Sequence, residues 1–192
     1  TYILESGSTF NHMGLMTIAG TFQALGSPGN YSVIQSSTST HQQISIGTGA
    51  NIKLEYVNIS QINGGLNLDN ITTGKIHSLH DVTFDNFTNN GASDTYIDLS
   101  GLSPARFAAG MKQNSLVYFD NLVFGSTGGA DYNITATAST ARVTVRNASG
   151  AMAGEANDSD PKNKVRWLNG LIKNTDTGAT YTTLQAAVDA AE

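Results

Sequence analysis

Three segments of this chain align without a gap: LEYVNISQI from Leu54, LHDVTFDNF from Leu79 and FDNLVFGST from Phe119. Leu54, Leu79 and Phe119 share one column, Val57, Val82 and Leu122 a second, and Ile59, Phe84 and Phe124 a third. Ile62 and Phe87 extend the pattern, which fails at Thr127. The step of two from 57 to 59 is the strand period. The step of three from 54 to 57 would flip a side chain across a strict strand, so the spacing predicts a bend between them. The first two segments start 25 residues apart and the last two 40. The extra length holds SDTYIDLSGLSPARFAAGMKQNS, in which Ser103-Pro104 can start a helical turn. Short strands with one bend per repeat predict a coiled β-solenoid. An antiparallel β-sandwich, which also has short strands and frequent turns, is the alternative.

Further strand-like stretches surround the repeat: MTIAGTF (16–22), YSVI (31–34), QISIG (43–47), TYIDLS (95–100), YNITAT (132–137) and ARVTVRN (141–147). Turn signals separate them, among them Ser27-Pro28-Gly29-Asn30, Asn63-Gly64-Gly65 and Asn89-Asn90-Gly91. Thr, Ser, Asn and Gly make up 78 of the 192 residues, and charged residues only 13%. That is a turn-rich, β-prone composition. The net charge of −5 and the absence of any basic run argue against nucleic acid as a partner. Without cysteine there are no disulfides, no thiolate chemistry and no Cys-ligated zinc. No apolar run approaches the ~18 residues of a membrane span.

The last residues, YTTLQAAVDAAE, predict an amphipathic helix. Thr182 can N-cap it with Gln185 at the capping-box position, and Leu184, Val188 and Ala191 form one apolar stripe. The expected organisation is a β-solenoid over 1–176 and this short helix over 177–192.

LEYVNIS, LHDVTFDNFT and FDNLVF resemble rungs of right-handed parallel β-helices of the pectin-lyase-like superfamily. The stretch 141–169 is similar to segments of large bacterial cell-surface β-helix proteins. The resemblance implies an all-β, right-handed parallel β-helix with one short C-terminal α-helix of the capping type. In that family such a helix precedes the first strand, whereas here it follows the last. That order implies a serial unit, whose final helix caps or leads into the first rung of another copy through Leu184, Val188 and Ala191. A parallel solenoid ends in unpaired strand edges, which need covering.

Several groups could carry chemistry. The aligned repeats stack Glu55, His80 and Asp120 in one outward column, an acid/base grouping about one strand spacing (~4.8 Å) apart. A solvated surface ladder is the competing reading. Lyases of the resembled superfamily pair Ca²⁺-binding acids with a basic residue; Arg106, Arg142, Arg146 and Arg166 are the basic candidates, and no lyase motif surrounds them. Glu155, Asn157, Asp158 and Asp160 crowd one loop, an oxygen set of the kind that holds Ca²⁺, though without EF-hand spacing. A solvated acidic turn is the plainer reading, and no other cofactor is expected. His77 and His80, three apart in a strand, should face opposite sides; His12 and His41 are isolated. Trp167, the one tryptophan, reads as core. N-x-S/T sequons stand at Asn30, Asn58, Asn70, Asn86, Asn133, Asn147 and Asn157.

The expected function is a structural or adhesive protein at the cell surface or outside the cell, a rigid rod joining copies of itself head to tail and presenting its faces to surface glycans. The alternative is a carbohydrate-active lyase or hydrolase, or a glycan-binding module.

Overall fold

The computed structural model describes residues 1–37, 42–85, 87, 94–113, 116–125, 130–168, 172–173 and 180–181. The helix expected from Thr182, with Leu184, Val188 and Ala191, lies outside them, as do His41, Asn86 and Thr127. In chain order the first strands are β1 (Tyr2–Leu4), β2 (Thr9–His12), β3 (Met16–Ile18), β4 (Thr21–Leu25), β5 (Ser32–Ser36) and β6 (Gln42–Ile46). Then follow β7 (Asn51–Ser60), β8 (Ile62–Asn67), β9 (Lys75–Asp85), β10 (Thr95–Asp98), β11 (Lys112–Gln113) and β12 (Leu116–Asp120). Last come β13 (Val123–Phe124), β14 (Tyr132–Thr135), β15 (Val143–Arg146), β16 (Val165–Leu168), β17 (Ile172–Lys173) and β18 (Thr180–Tyr181).

The fold is all-β, and its helical content among the described residues is three short 3₁₀ turns. Among the described residues no helix is long and apolar enough to cross a membrane. One sheet runs β1-β4-β7-β9-β12-β15-β16, with β2, β5, β11 and β13 paired along it; a second runs β3-β6-β8-β10-β14. Pairing within both sheets is parallel except for β11 on β12. The antiparallel sandwich is therefore not what these strands build. MTIAGTF, which reads as one alternating stretch, divides at Ala19-Gly20 into β3 and β4, one in each sheet.

Register places like residues over like. Leu4, Ala24, Leu54 and Leu79 are successive partners, and Phe119, Val145 and Trp167 continue their column. Phe10, Ile34, Ile59, Phe84 and Phe124 form another. In the second sheet Met16, Ile44, Leu66, Ile97 and Ile134 stack the same way. Leu54, Val57, Ile59, Leu79, Val82, Phe84, Phe119, Leu122 and Phe124 are each 2% exposed or less. Burying such a side chain contributes about 1.5–3 kcal/mol against leaving it in water, so these columns form the core between the two sheets.

The step of three has a backbone cause. Tyr56, Asp81 and Asn121 all have φ of 54°, and Asn147 has 55°. One residue in the left-handed region turns the chain and restores the inward direction one residue late. Asn and Asp tolerate that conformation better than other side chains, and here they also bond along the column, Asn121 Nδ2 donating to Asp81 Oδ1 at 3.0 Å. Tyr56 is held by ring edges instead, against Tyr31 at 5.9 Å and His80 at 5.4 Å between centroids. Asn121→Ala, with a Cβ that disfavours φ near 54° and no amide to donate, is expected to destabilise by about 1–3 kcal/mol in urea denaturation. Asn121→Gly, which keeps the backbone and loses only the hydrogen bond, should cost less.

Candidate functional site

A groove opens where β9 and β12 part. The chain between β10 and β12 makes an excursion through two 3₁₀ turns, Pro104–Arg106 and Ala109–Met111. Ser103 and Pro104 begin the first, as their order suggests, although the Ser103 side chain makes no cap. Phe107 bridges to Ile76, and the Ala108 amide donates to the Ile76 carbonyl at 2.8 Å. The excursion then turns back as β11, antiparallel on β12. Direct pairing of β12 with β9 is limited to Asp120 with His80, and the gap beside that pair is a groove of about 390 Å³. His77, Ser78 and His80 line one side, and Tyr118, Asp120 and Arg146 another.

His77 and His80 line this groove together, contrary to the alternation expected of a strand. The ladder explains it. Ile52 pairs with Ile76 but Lys53 with Ser78, so His77 is an extra residue in β9. A bulge of that kind shifts the inside–outside parity and re-aims a side chain.

The three stacked candidates do meet: Glu55 pairs with His80, and His80 with Asp120. No strand intervenes across the 40-residue offset. Their side chains are already committed to neighbours. Glu55 holds Lys53 Nζ at 3.0 Å through Oε2 and faces His80 Nε2 at 3.4 Å through Oε1. Burial raises the Glu55 pKa, but hydrogen bonds from Lys53 and Ser78 and the charges of Lys53 and His80 outweigh it, so the carboxyl sits below its ordinary value. His80 Nδ1 contacts Asp81 Oδ2 at 2.7 Å. Arg146 grips Asp120 with both edges of its fork, Nε to Oδ1 at 2.5 Å and Nη2 to Oδ2 at 2.7 Å. Its guanidinium also lies 4.3 Å from the centre of the Tyr118 ring. The Asp120 hydrogen bond pushes the Arg146 pKa further up.

A general acid at neutral pH needs a carboxyl whose pKa is raised. Glu55 is shifted the other way, and both Asp120 oxygens are occupied. The arrangement pairs charges and presents aromatic, imidazole and guanidinium faces to the groove. Of the arginines named from sequence, Arg146 reaches it, while Arg106 donates to the Gly74 carbonyl at 3.4 Å. Arg142 and Arg166 are exposed.

Two acids of the loop accept hydrogen bonds from the chain itself. Asp160 accepts from the Val165 amide at 2.6 Å and the Lys162 amide at 3.3 Å. Asp158 accepts from the Trp167 indole at 2.7 Å. Glu155 is exposed and Asn157 half-buried. Among the described residues no three His, Asp or Glu side chains converge on a metal position. Trp167 is half-buried, its ring 5.9 Å from Phe124. Of the sequons, Asn133 is fully buried and donates to the Met152 and Gly154 carbonyls, whereas Asn30, Asn70 and Asn147 are exposed.

Burial lifts the Asp158 pKa to about 6, against the lowering effect of the indole hydrogen bond, and the charges of Glu155 and Asp160 add to the rise. A raised acid pKa favours the protonated form in the folded chain. Its contribution to stability is full below the unfolded value of 3.8 and is lost as pH rises through about 6. Trp167 reports this directly. Its fluorescence is expected to titrate with a midpoint near pH 6, and Asp158→Asn, which retains an acceptor for the indole, should remove the transition.

The Asp120–Arg146 pair was within reach of the sequence. ARVTVRN set as a fourth row, Val143 on Val117 and Val145 on Phe119, brings Arg146 beside Asp120. The bulge at His77 and the wall from Gly110 to Gln113 carry no comparable signal. Comparison of this chain with protein-family models, with curated proteins and with solved structures finds no match.

Proposed function

We propose that this protein is a right-handed parallel β-helix of the pectin-lyase-like kind, acting outside the cell as a rigid structural or adhesive rod whose copies join head to tail. The observation that carries the reading is the column Leu4, Ala24, Leu54 and Leu79, continued by Phe119, Val145 and Trp167. A left-handed corner recurs two residues after Leu54, Leu79, Phe119 and Val145, at Tyr56, Asp81, Asn121 and Asn147. Alternate visits to two parallel sheets, with right-handed crossovers as the general rule for parallel strands, make a coil with one turn per rung. The mechanism is mechanical. Hydrogen bonds along the axis resist extension, and the apolar columns resist bending. The outer faces present Ser, Thr, Asn and paired charges to partners such as surface glycans.

The test is location. An antibody raised to the chain should label intact, unpermeabilised source cells or their secreted material. Labelling confined to permeabilised cells would overturn the reading. A second reading, a glycan-binding or glycan-cleaving module, draws on the groove lined by Tyr118, Arg146 and His77. A glycan array, and an assay for unsaturated uronate release with added Ca²⁺, would support that reading by a positive result.

A further inference from the structure

Two cations reach the groove from the two sides of β12. Lys112, on β11, pairs with Val117, and Arg146, on β15, pairs with Asp120. Three residues of strand, about 10 Å, separate those positions along β12, and both side chains line the groove. Arg146 commits Nε and Nη2 to Asp120, and the Tyr118 ring covers one face of its guanidinium. Among the described residues Nη1 has no partner, which leaves it for a group that approaches edge-on.

Three acids touch the lining of the groove, and each is already paired. Glu55 holds Lys53 and faces His80, Asp81 contacts His80 and accepts from Asn121, and Arg146 grips Asp120. Lys112 is different: among the described residues no acid forms an ion pair with it. Lys53, Lys112 and Arg146 balance the three acids in formal charge, so the groove is not a broadly basic surface. Its attraction for an anion is local, at the one ammonium of this set without a counter-ion and the guanidinium nitrogen that Asp120 does not use.

We propose that this groove binds a phosphate or sulfate monoester, its oxyanion held between Lys112 Nζ and Arg146 Nη1. The inference rests on the second reading above, in which this groove is the binding site, and narrows the ligand to one that bears such an ester. A planar carboxylate is best held by a guanidinium fork, and here Asp120 fills that edge. The donors that remain come singly and from two elements. A tetrahedral oxyanion spreads three acceptor oxygens around one centre and suits donors of that kind, with lysine acting as a point charge. His77 and Gln113, exposed on the lining, offer polar contacts to the alcohol part of the ester.

Amide chemical-shift titration of the isotopically labelled full chain tests this, with inorganic phosphate, sulfate and galacturonate each added at constant ionic strength against sodium chloride. Phosphate, sulfate or both should saturate shifts around Lys112, Tyr118 and Arg146, and the tighter of the two names the ester. Galacturonate should bind about tenfold more weakly or worse. Lys112→Ala, at a half-exposed position, should weaken the oxyanion about tenfold or more. Asp120→Asn should instead tighten it and admit galacturonate, because the neighbouring negative charge is gone and the fork is freed. A gain in affinity is a result that misfolding does not produce. Failure of both oxyanions to saturate overturns the proposal, as does a Lys112→Ala variant that binds like the wild type. A wild type that prefers galacturonate overturns it too and leaves the glycan reading intact. No saturation by any of the three, together with a blank glycan array, ends both.

Discussion

Val82→Asp is expected to lower the unfolding free energy by about 3 kcal/mol or more in urea denaturation. Val82 is fully buried, pairs with Val57 and follows the left-handed corner at Asp81. An aspartate there points its carboxyl into the interior, where Ile59, Phe84 and Leu122 offer no donor. The chain must either bury the charge or hold the acid neutral, and both lower stability. The control is one residue along. Thr83, partnered by Asn58, faces outward and is half-buried, so Thr83→Asp should stay within about 0.5 kcal/mol. Equal effects at 82 and 83 would mean that the parity of this strand is misassigned.

Phe84→Ala should cost about 3–5 kcal/mol, the range for removing a buried phenyl ring. The Phe84 ring stacks on Phe124 at 5.7 Å with 9° between planes, and meets Phe87 at 6.0 Å and Tyr96 at 6.1 Å. Tyr96 belongs to the second sheet, and its hydroxyl donates to the Gly125 carbonyl at 2.8 Å. The aromatic group therefore ties the two sheets together, and its loss leaves a cavity that neither sheet can close alone. Phe124→Ala should behave alike. The double variant should fall short of the sum by about 0.5–3 kcal/mol, because the two rings share one contact. Full additivity would show that they do not pack on each other.

The legible and hidden parts of this chain differ for physical reasons. Leu54, Val57 and Ile59 advertise strand period, inward face and corner at once, because a buried column tolerates only apolar residues and a corner shifts their spacing by one. The second sheet is far less visible. Met16, Ile44, Leu66, Ile97 and Ile134 stack as regularly as the first column, but turns of unequal length separate them and no gapless alignment aligns them. Glu55, His80 and Asp120 could be grouped from the repeat alone. What those groups do could not, since Lys53, Asp81 and Arg146 decide it through contacts across strands. The parity of His77 was hidden for a simpler reason: a one-residue bulge in β9 leaves no mark on composition or spacing.

The central claim is that successive strands stack in register at one strand spacing. Thr9, Val33, Asn58, Thr83, Val123 and Ser149 mark one outward row of it. The chain has no cysteine, so spin labels can be placed at will on introduced ones. Pulsed electron paramagnetic resonance on Thr9→Cys/Val123→Cys and Thr9→Cys/Ser149→Cys, diluted with unlabelled chain, measures the row directly. Four and five spacings of about 4.8 Å place the backbone positions roughly 19 and 24 Å apart. Two narrow distributions separated by about one strand spacing are the predicted result. Distances that are broad, or that fail to lengthen from residue 123 to residue 149, would contradict it.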